Sequence, residues 1–304
     1  MTVLHSKKNI IDEFVQNAPI ILDGAWGTQL QSYGLKSGEC PDSWNITHPE
    51  RVGDLAAQYI KAGSEIILTN TFRSNRSALQ SYGLEHKIKE INQRGVQIAR
   101  EASKGKAKIF ASIGPCEKLF MESIYDSKEL YEIYSEQINI LANENIDGIV
   151  IETMMNLKEA SSALRAVKDT NLPVVVSFTF NSGKDSDLTV SGETLELIAK
   201  ELTLLGADVI GANCGAGIEH YISIVKRLQA SSHLPLWIKP SAGIPKVVQK
   251  KLIYPTTIQI FTEYAYIISQ MGVSFIGGCC GTTPEYIKSL SKKLKQKHKK
   301  TNRI

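Results

Sequence analysis

Three cysteines occupy positions in the sequence that suit a metal site. Cys214 follows the apolar run Val209–Ala212. The adjacent pair Cys279-Cys280 follows a second apolar run, Ser274–Ile276. Three thiolates brought together make a soft, electron-rich donor set, which selects zinc. Because protein-bound zinc is usually tetrahedral, three protein ligands leave one position open, as in a catalytic site. The pattern therefore predicts a catalytic Zn²⁺ site.

Other interpretations of the cysteines stay open at this level. The adjacent pair could form a vicinal disulfide, as a thiol redox enzyme would use, and His220 could add a fourth ligand that makes the zinc structural. Cys40 and Cys116 are interpreted as small buried hydrophobic residues. The chain has 5 cysteines, and an odd number in a chain of this size argues against a disulfide framework.

The start of the chain and its apolar runs bear on where the protein works. Met1–Phe14 has no apolar segment before its first acidic residues, so a secretory signal is not expected. No apolar run approaches the ~20 residues that a membrane-spanning helix needs. We therefore expect a cytoplasmic protein without a membrane partner.

Both cysteine positions come directly after predicted buried strands, and the same pattern recurs along the chain. Short apolar runs rich in Val and Ile alternate with longer amphipathic stretches, as expected for parallel strands covered by helices. The predicted strands are Ile20–Leu22, Ile66–Thr69, Ile109–Ile113, Gly148–Ile151, Val174–Phe178, Val209–Ala212, Leu236–Ile238 and Ser274–Ile276. The predicted helices are Pro49–Ala62, Leu84–Ser103, Ser127–Asn143, Leu157–Asp169, Thr194–Leu205, Ile218–Ala230, Thr257–Met271 and Pro284–Leu294. Repeated strand–helix units predict an α/β fold, a (β/α)8 TIM barrel, with residues 1–304 as a single domain.

A doubly wound open sheet is the alternative fold. It would need fewer parallel strands and usually has a glycine-rich phosphate turn after the first of them. The first predicted strand is followed by Asp23-Gly24-Ala25-Trp26-Gly27, which is not a G-x-G-x-x-G fingerprint. The closed barrel is therefore the better interpretation.

In a barrel, the carboxyl ends of all the strands open on one face, where active sites are built. Polar residues cluster just after the predicted strands. They are Asp23, Asn70, Thr71, Glu152 and Lys239, together with the three cysteines. We expect these side chains to converge although they are far apart in the sequence.

Six segments, spread in order over nearly the whole chain, carry a resemblance to a known family. They are Asp23-Gly24-Ala25-Trp26-Gly27-Thr28, Thr69-Asn70-Thr71-Phe72, Ser112-Ile113-Gly114-Pro115, Glu152-Thr153, Gly211-Ala212-Asn213-Cys214 and Gly277-Gly278-Cys279-Cys280-Gly281-Thr282. The chain thereby resembles the zinc-dependent homocysteine S-methyltransferases. Two further runs, Cys40-Pro41-Asp42-Ser43-Trp44-Asn45 and Tyr82-Gly83-Leu84, are most similar to the homocysteine-binding module of cobalamin-dependent methionine synthase.

The resemblance implies a (β/α)8 barrel, a Zn²⁺ ion and a reaction. The metal would be held by Cys214, Cys279 and Cys280. Homocysteine would accept a methyl group on its sulfur and become methionine. The residues of the barrel mouth supply no further catalytic group in this interpretation.

The amino acid end of homocysteine needs an anion for its ammonium and donors for its carboxylate. Glu152 and Asp23 suit the ammonium, and the resemblance points the same way. The backbone N–H groups of Gly24 and Ala25 could meet the carboxylate, because glycine permits close approach. The alternatives are a turn or cap role for Asp23 and an ion pair between Glu152 and Lys239.

Asn70 and Thr71 are expected to support the loop and the ligand. Trp26 stands where the family often has Met, a departure that bears on donor docking rather than on the reaction type.

The methyl donor is expected to be a methylated corrinoid such as methylcobalamin, free or carried on a corrinoid protein. Betaine is not expected, because a quaternary ammonium is recognised by an aromatic cage. Where the betaine-using branch has aromatic residues after the second and fourth strands, this chain has Arg73 and Thr153. S-methylmethionine and S-adenosylmethionine stay open as donors. A non-catalytic zinc barrel, serving as a subunit of a corrinoid methyl-transfer complex, is the rival from another class.

Charge is concentrated at the end of the chain. The segment Lys292–Arg303 holds six Lys and one Arg, and without these seven the net charge of +4 becomes −3. The basic tail, residues 292–304, is interpreted as a solvated, frayed helix end. No basic stripe runs through the rest, so no nucleic-acid partner is expected.

Overall fold

The computed structural model describes residues 8–116, 125–248 and 251–301. Within these ranges, eight parallel strands form one sheet in the order β1-β10-β7-β6-β5-β4-β3-β2. They are β1 (Ile20–Ile21), β2 (Ile66–Leu68), β3 (Lys108–Ile113), β4 (Gly148–Met154), β5 (Val174–Phe178), β6 (Val209–Cys214), β7 (Leu236–Pro240) and β10 (Phe275–Ile276). The prediction of a (β/α)8 barrel is confirmed.

Helices cover the outside of this sheet and fall where the periodicity predicts them. The long helices are α4 (Pro49–Ala62), α6 (Ile88–Ser103), α7 (Ser127–Ala142), α8 (Leu157–Lys168), α9 (Leu195–Leu204), α10 (Tyr221–Ser231), α11 (Ile258–Gln270) and α12 (Pro284–Thr301). Several shorter elements were not predicted from the sequence. These are α1 (Lys8–Gln16), α2 (Gly27–Ser32), α3 (Trp44–Thr47), α5 (Arg76–Gln80) and an antiparallel hairpin, β8 (Lys246–Val248) and β9 (Lys251–Ile253).

The strands alternate between two cores, because successive side chains of a strand point to opposite faces. One core fills the barrel interior, where Trp237 stacks on Phe110 at 6.0 Å and meets Phe275 at 5.3 Å between ring centroids. Helix α1 adds Phe14 to this interior core. The other core lies between the strands and the surrounding helices.

The barrel closes between β1 and β2 without a regular ladder. Glu65 N donates to Ile21 O at 2.7 Å, and Ile21 N donates to the Glu65 carboxylate at 3.0 Å. Further along, Leu68 N donates to Asp23 Oδ2 at 2.8 Å. Carboxylates thus take the place of backbone acceptors along this seam, which links Asp23 to the closure of the fold.

The basic tail begins on helix α12, which continues to Thr301. Lys293 Nζ lies 2.7 Å from Glu263 Oε1 of α11, so the first part of the tail is docked rather than frayed. The predicted frayed end also includes residues 302–304, which lie outside the described residues. None of the described helices is both long and apolar enough to cross a membrane.

We expect Gly211→Ala to lower the free energy of unfolding by about 1–3 kcal/mol, the range for overpacked cores. Gly211 pairs with Trp237 across β6 and β7, and a Cβ there would lie 2.0 Å from Trp237 O. Urea unfolding followed by circular dichroism measures the change. Gly53→Ala is the control. Gly53 lies inside α4, and its Cβ would meet Ile98 of α6 at 3.6 Å, an ordinary van der Waals contact. That variant should gain roughly 0.5–1 kcal/mol; equal losses in both would contradict this packing.

Candidate functional site

The three predicted ligand cysteines lie together at the carboxyl ends of the strands. Cys214 ends β6, while Cys279 and Cys280 follow β10, and both strands flank β7 in the sheet. Their Sγ atoms all lie within 4.8 Å of one another, and those of Cys214 and Cys280 are 3.7 Å apart. Tetrahedral zinc with Zn–S bonds of ~2.3 Å places its sulfur ligands roughly 3.8 Å apart. The donor set therefore fits a metal of this kind.

The alternative interpretations of the cysteines fare differently. All five cysteines are free thiols, so the adjacent pair is not a disulfide in this structure. Within the described residues, the group of metal-ligating side chains comprises the three cysteines and does not include His220. Cys40 and Cys116 are buried, as expected of small hydrophobic residues.

Backbone hydrogen bonds fix the positions of the three thiols. Cys214 has φ +63°, in the left-handed region that non-glycine residues seldom adopt. Its carbonyl accepts from Tyr221 OH at 2.9 Å and from Ser241 N at 3.2 Å. The Cys279 carbonyl accepts from Thr282 N at 3.0 Å and from Thr282 Oγ1 at 2.7 Å. The strained turn and the tight loop together direct the sulfur atoms to one point.

The thiols are protonated at neutral pH in the absence of a cation. The Cys214 thiol raises the pKa of Cys279, and burial adds to the effect. The hydrogen bond with Cys279 lowers the pKa of Cys214, but the bond with Cys280 and burial outweigh it and raise the pKa to about 12. A bound divalent cation would reverse this preference, because metal binding releases the thiol protons.

A cavity of about 330 Å³ opens next to the cysteines. Of the predicted site residues, it is lined by Gly24, Ala25, Asn70, Glu152 and the three cysteines. Asp23 and Thr71 do not line it. The structure therefore brings most of the predicted residues to one place, at the size of a small-molecule site.

Glu152 presents a carboxylate to the cavity while being only 7% exposed. Ser112 Oγ donates to its Oε1, and Oε2 has no hydrogen-bond partner among the described residues. Burial raises the pKa of Glu152, although Lys239 and the Ser112 hydrogen bond lower it. An ion pair with Lys239 was the alternative role for Glu152, but Lys239 Nζ instead pairs with Asp23 Oδ1.

Asp23 is fully buried and its carboxylate is occupied. Oδ2 accepts from Trp26 Nε1 and from Leu68 N, each at 2.8 Å, and Oδ1 accepts from Lys239 Nζ. Burial lowers the pKa of Lys239, but the charges of Asp23 and Glu152 outweigh it and raise that pKa. Lys239 is therefore an ammonium. These contacts give Asp23 a structural role across the barrel rather than a turn or cap role, and its binding of the substrate ammonium stays a prediction.

The backbone donors after β1 differ from the expectation. Ala25 N donates to Thr282 O at 3.0 Å, so it is not available to a substrate carboxylate. Gly24 N has no acceptor among the described groups and lines the cavity. A Cβ on Gly24 would lie 2.9 Å from Thr282 O, so only glycine fits there. Binding of the substrate carboxylate by Gly24 N–H stays a prediction. The corresponding expectation for Ala25 N–H is corrected, because that group is already bonded to Thr282 O.

Asn70 and Thr71 hold loops at the rim. Asn70 Nδ2 donates to Pro41 O and to Asn45 Oδ1, each at 3.0 Å. Thr71 Oγ1 donates at 2.8 Å to the carbonyl of Ser112, the residue whose hydroxyl donates to Glu152. These bonds hold the loops, while support of a ligand by Asn70 and Thr71 stays a prediction.

Several residues of the site were not among the candidates from the sequence. Trp26 and Arg73 line the cavity, and Asn213 lies behind the cysteines. In the sequence, these residues are marked only by their place within, or directly after, the segments that resemble the methyltransferase family. Their contacts depend on distant strands.

Comparison with known proteins gives a consistent result. A family model described as homocysteine S-methyltransferase matches residues 20–294. The methionine synthases of Mycobacterium leprae (strain TN) and Mycobacterium tuberculosis (strain ATCC 25618 / H37Rv) are 29% and 28% identical over 288 residues, which cover 88% of this chain. The chain spans only 24% of the length of these relatives.

The fold also matches a solved structure. The metallated form of the homocysteine methyltransferase MmuM from Escherichia coli superposes with a TM-score of 0.75 at 22% identity. The match covers 90% of this chain and 96% of that one. At this identity the likeness supports the barrel fold.

We expect Glu152→Gln to raise the free energy of unfolding of the ligand-free protein at pH 7. A carboxylate whose pKa is raised by burial costs stability when charged. The gain should shrink as the pH falls through the raised folded-state pKa and should be absent below about 4, where the carboxyl group is protonated in the folded and unfolded states. Thermal unfolding across this pH range measures it.

Glu196→Gln is the opposite control for this prediction. A hydrogen bond from Arg227 lowers the pKa of Glu196 to about 2. Its charge therefore adds stability at pH 7, although modestly because the pair is solvent-exposed. A Glu152→Gln variant that is less stable than the parent at pH 7 would show that the charged carboxylate is not a burden on the fold.

Proposed function

The chain belongs to the homocysteine S-methyltransferase family, and from this premise we propose that it transfers a methyl group to the sulfur of homocysteine, forming methionine. The observation that carries the proposal is the cluster of three thiols in a cavity whose wall also includes the Glu152 carboxylate. A thiol-bearing amino acid needs both a soft metal for its sulfur and an anion for its ammonium.

We propose that Cys214, Cys279 and Cys280 hold a Zn²⁺ ion. The 3.7 Å separation of the Cys214 and Cys280 sulfur atoms supports this assignment. When bound, zinc would supply a coordination position at which the homocysteine thiol, with an ordinary thiol pKa near ~8.5, is held as a nucleophilic thiolate at neutral pH.

The chain's own residues would bind the amino acid end. Asp23 and Lys239 form an ion pair, which leaves the Glu152 carboxylate in the cavity wall without an ion-pair partner among the described residues. Its Oε2 is available for the substrate ammonium, and Gly24 N–H for the carboxylate. Binding at both ends would orient the sulfur toward the cysteines and exclude water from the polar contacts.

The methyl donor proposed is a methylated corrinoid, such as methylcobalamin, free or on a partner protein. Arg73 is half-buried in the cavity wall, where recognition of a quaternary ammonium donor would need an aromatic ring. A sulfonium donor, S-methylmethionine or S-adenosylmethionine, is the second candidate. The observation that favours it is Trp26, whose ring lines the same cavity and could face a cation.

We also propose that residues 1–304 work as one homocysteine-binding domain, with the basic tail 292–304 outside its chemistry. The family match ends at residue 294, which supports this division.

We expect about one zinc ion per chain, bound through the cysteines. Cys214→Ser should reduce the zinc content to a small fraction, because an alcohol is a far weaker ligand than a thiolate for a soft site. Elemental analysis after gel filtration measures it. Cys40→Ala is the control, since this buried thiol lies outside the group of metal-ligating side chains. Full zinc content in Cys214→Ser would rule out the assignment.

We expect metal-loaded protein to form methionine from homocysteine with methylcobalamin and not with betaine. Glu152→Ala should raise the KM for homocysteine by about 10–100-fold while zinc stays bound, since a charge-assisted hydrogen bond contributes about 1.5–3 kcal/mol. Chromatography of the products with each donor measures turnover.

Glu90 is exposed, so Glu90→Ala is the control for the loss of a negative charge and should leave the KM unchanged. Turnover with betaine alone would refute the donor proposal. Absence of turnover with every donor, at full zinc content, would favour the non-catalytic subunit.

A further inference from the structure

The side chain of Asn213 connects two parts of the site that bind different ends of the substrate. It is fully buried, does not line the cavity, and directly precedes Cys214 on β6. Its amide makes four hydrogen bonds. Oδ1 accepts from Thr153 N at 2.9 Å and Ser177 Oγ at 2.7 Å, while Nδ2 donates to Thr153 Oγ1 at 2.7 Å and Cys279 Sγ at 3.9 Å.

Two of these bonds hold Thr153 in an unfavourable conformation. Thr153 has φ +61°, which is rare for a β-branched residue. Such a conformation persists only where its surroundings fix it. One amide holds both the backbone N–H and the hydroxyl of Thr153, at the irregularity between Ile151 and Met154 that interrupts the β4–β5 pairing. Glu152 directly precedes Thr153, so the two hydrogen bonds between Asn213 and Thr153 also constrain the direction of the Glu152 carboxylate.

The remaining bond of Nδ2 is directed at a proposed metal ligand. The orientation of the amide is settled by its partners, because Thr153 N–H can only donate and so must face Oδ1. The amide N–H groups therefore face Thr153 Oγ1 and Cys279 Sγ. An N–H donor on a thiolate disperses its charge and fixes its direction, as partners of metal ligands generally do.

We propose that Asn213 is a positioning residue that holds the Cys279 sulfur and the Glu152 carboxylate in a fixed relation. The metal and homocysteine then both depend on a side chain that touches neither. The Asn213 amide can accept from the Thr153 backbone N–H and donate to a thiolate at the same time, because its oxygen and nitrogen face different partners. The inference rests on the proposed metal site, but not on the identity of the methyl donor.

The test uses the full chain with Co²⁺ as the probe, because thiolate-to-cobalt bands report the ligand sulfur directly. Asn213→Asp keeps the shape and the Oδ1 acceptor, but removes the donor to Cys279. We expect Co²⁺ affinity, measured by chelator competition, to fall by about 10–100-fold. The charge-transfer band should shift as well. Ser177→Ala is the matched control, since it removes one bond to Oδ1 and leaves the sulfur contact, so its band should not move.

A second pair of variants tests the Glu152 side and stays informative if Asn213→Asp does not fold. Thr153→Val removes the hydroxyl that Nδ2 holds, whereas Thr153→Ser keeps it. We expect Thr153→Val to bind homocysteine less than a tenth as well, with the cobalt band unchanged, and Thr153→Ser to match the parent.

Parent-like cobalt affinity and band in Asn213→Asp, or an equal shift in Ser177→Ala, would overturn the proposal. So would parent-like homocysteine binding in Thr153→Val. None of these readouts needs a methyl donor. A protein that binds Co²⁺ as expected but never forms methionine would therefore count against the proposed reaction alone.

Discussion

The buried ion pair between Asp23 and Lys239 is the interaction on which the rest of the site depends. The Asp23 carboxylate joins three elements: it accepts from Leu68 N of β2, from Trp26 after β1 and from Lys239 of β7. Because β1 and β2 share no regular ladder, this carboxylate helps to close the barrel. Breaking such a pair by removing one partner typically costs about 3–5 kcal/mol, since the other charge is left buried and alone.

The same pair also sets the geometry and the charge of the cavity. Lys239 is followed by Pro240, whose carbonyl accepts from Cys279 N at 2.8 Å, so β7 anchors the cysteine loop as well as the seam. With the Asp23 charge balanced by Lys239, the Glu152 carboxylate faces the cavity without an ion-pair partner among the described residues. Strained residues at the ends of β4 and β6, Thr153 and Cys214, then direct the carboxylate and the sulfur into one space. Such strain at functional positions is maintained by surrounding hydrogen bonds.

Much of the architecture could be predicted from periodicity alone. Pro49–Ala62 and Val174–Phe178 were predicted with the bounds that α4 and β5 have. The clustering of the three cysteines also follows from the sequence, because parallel strands of a barrel bring their carboxyl ends together. The β8–β9 hairpin was missed, since its short apolar strands are exposed and carry no buried-strand pattern.

Polar partners across the barrel could not be predicted in this way. Lys239 is 216 positions from Asp23, and no local rule distinguishes Asp23 from Glu152 as its partner. The occupied Ala25 N–H likewise depends on Thr282, at the other end of the chain. Burial and register decide these contacts, and both arise only when the barrel closes.

In the proposed site, three thiolates and one substrate sulfur surround a single zinc ion. Zinc-edge X-ray absorption of the purified protein, recorded without and with homocysteine, tests it most directly. We expect three sulfur ligands at ~2.3 Å without homocysteine and four with it. Fewer than three sulfur ligands at the start, or an unchanged sulfur count on adding homocysteine, would contradict it.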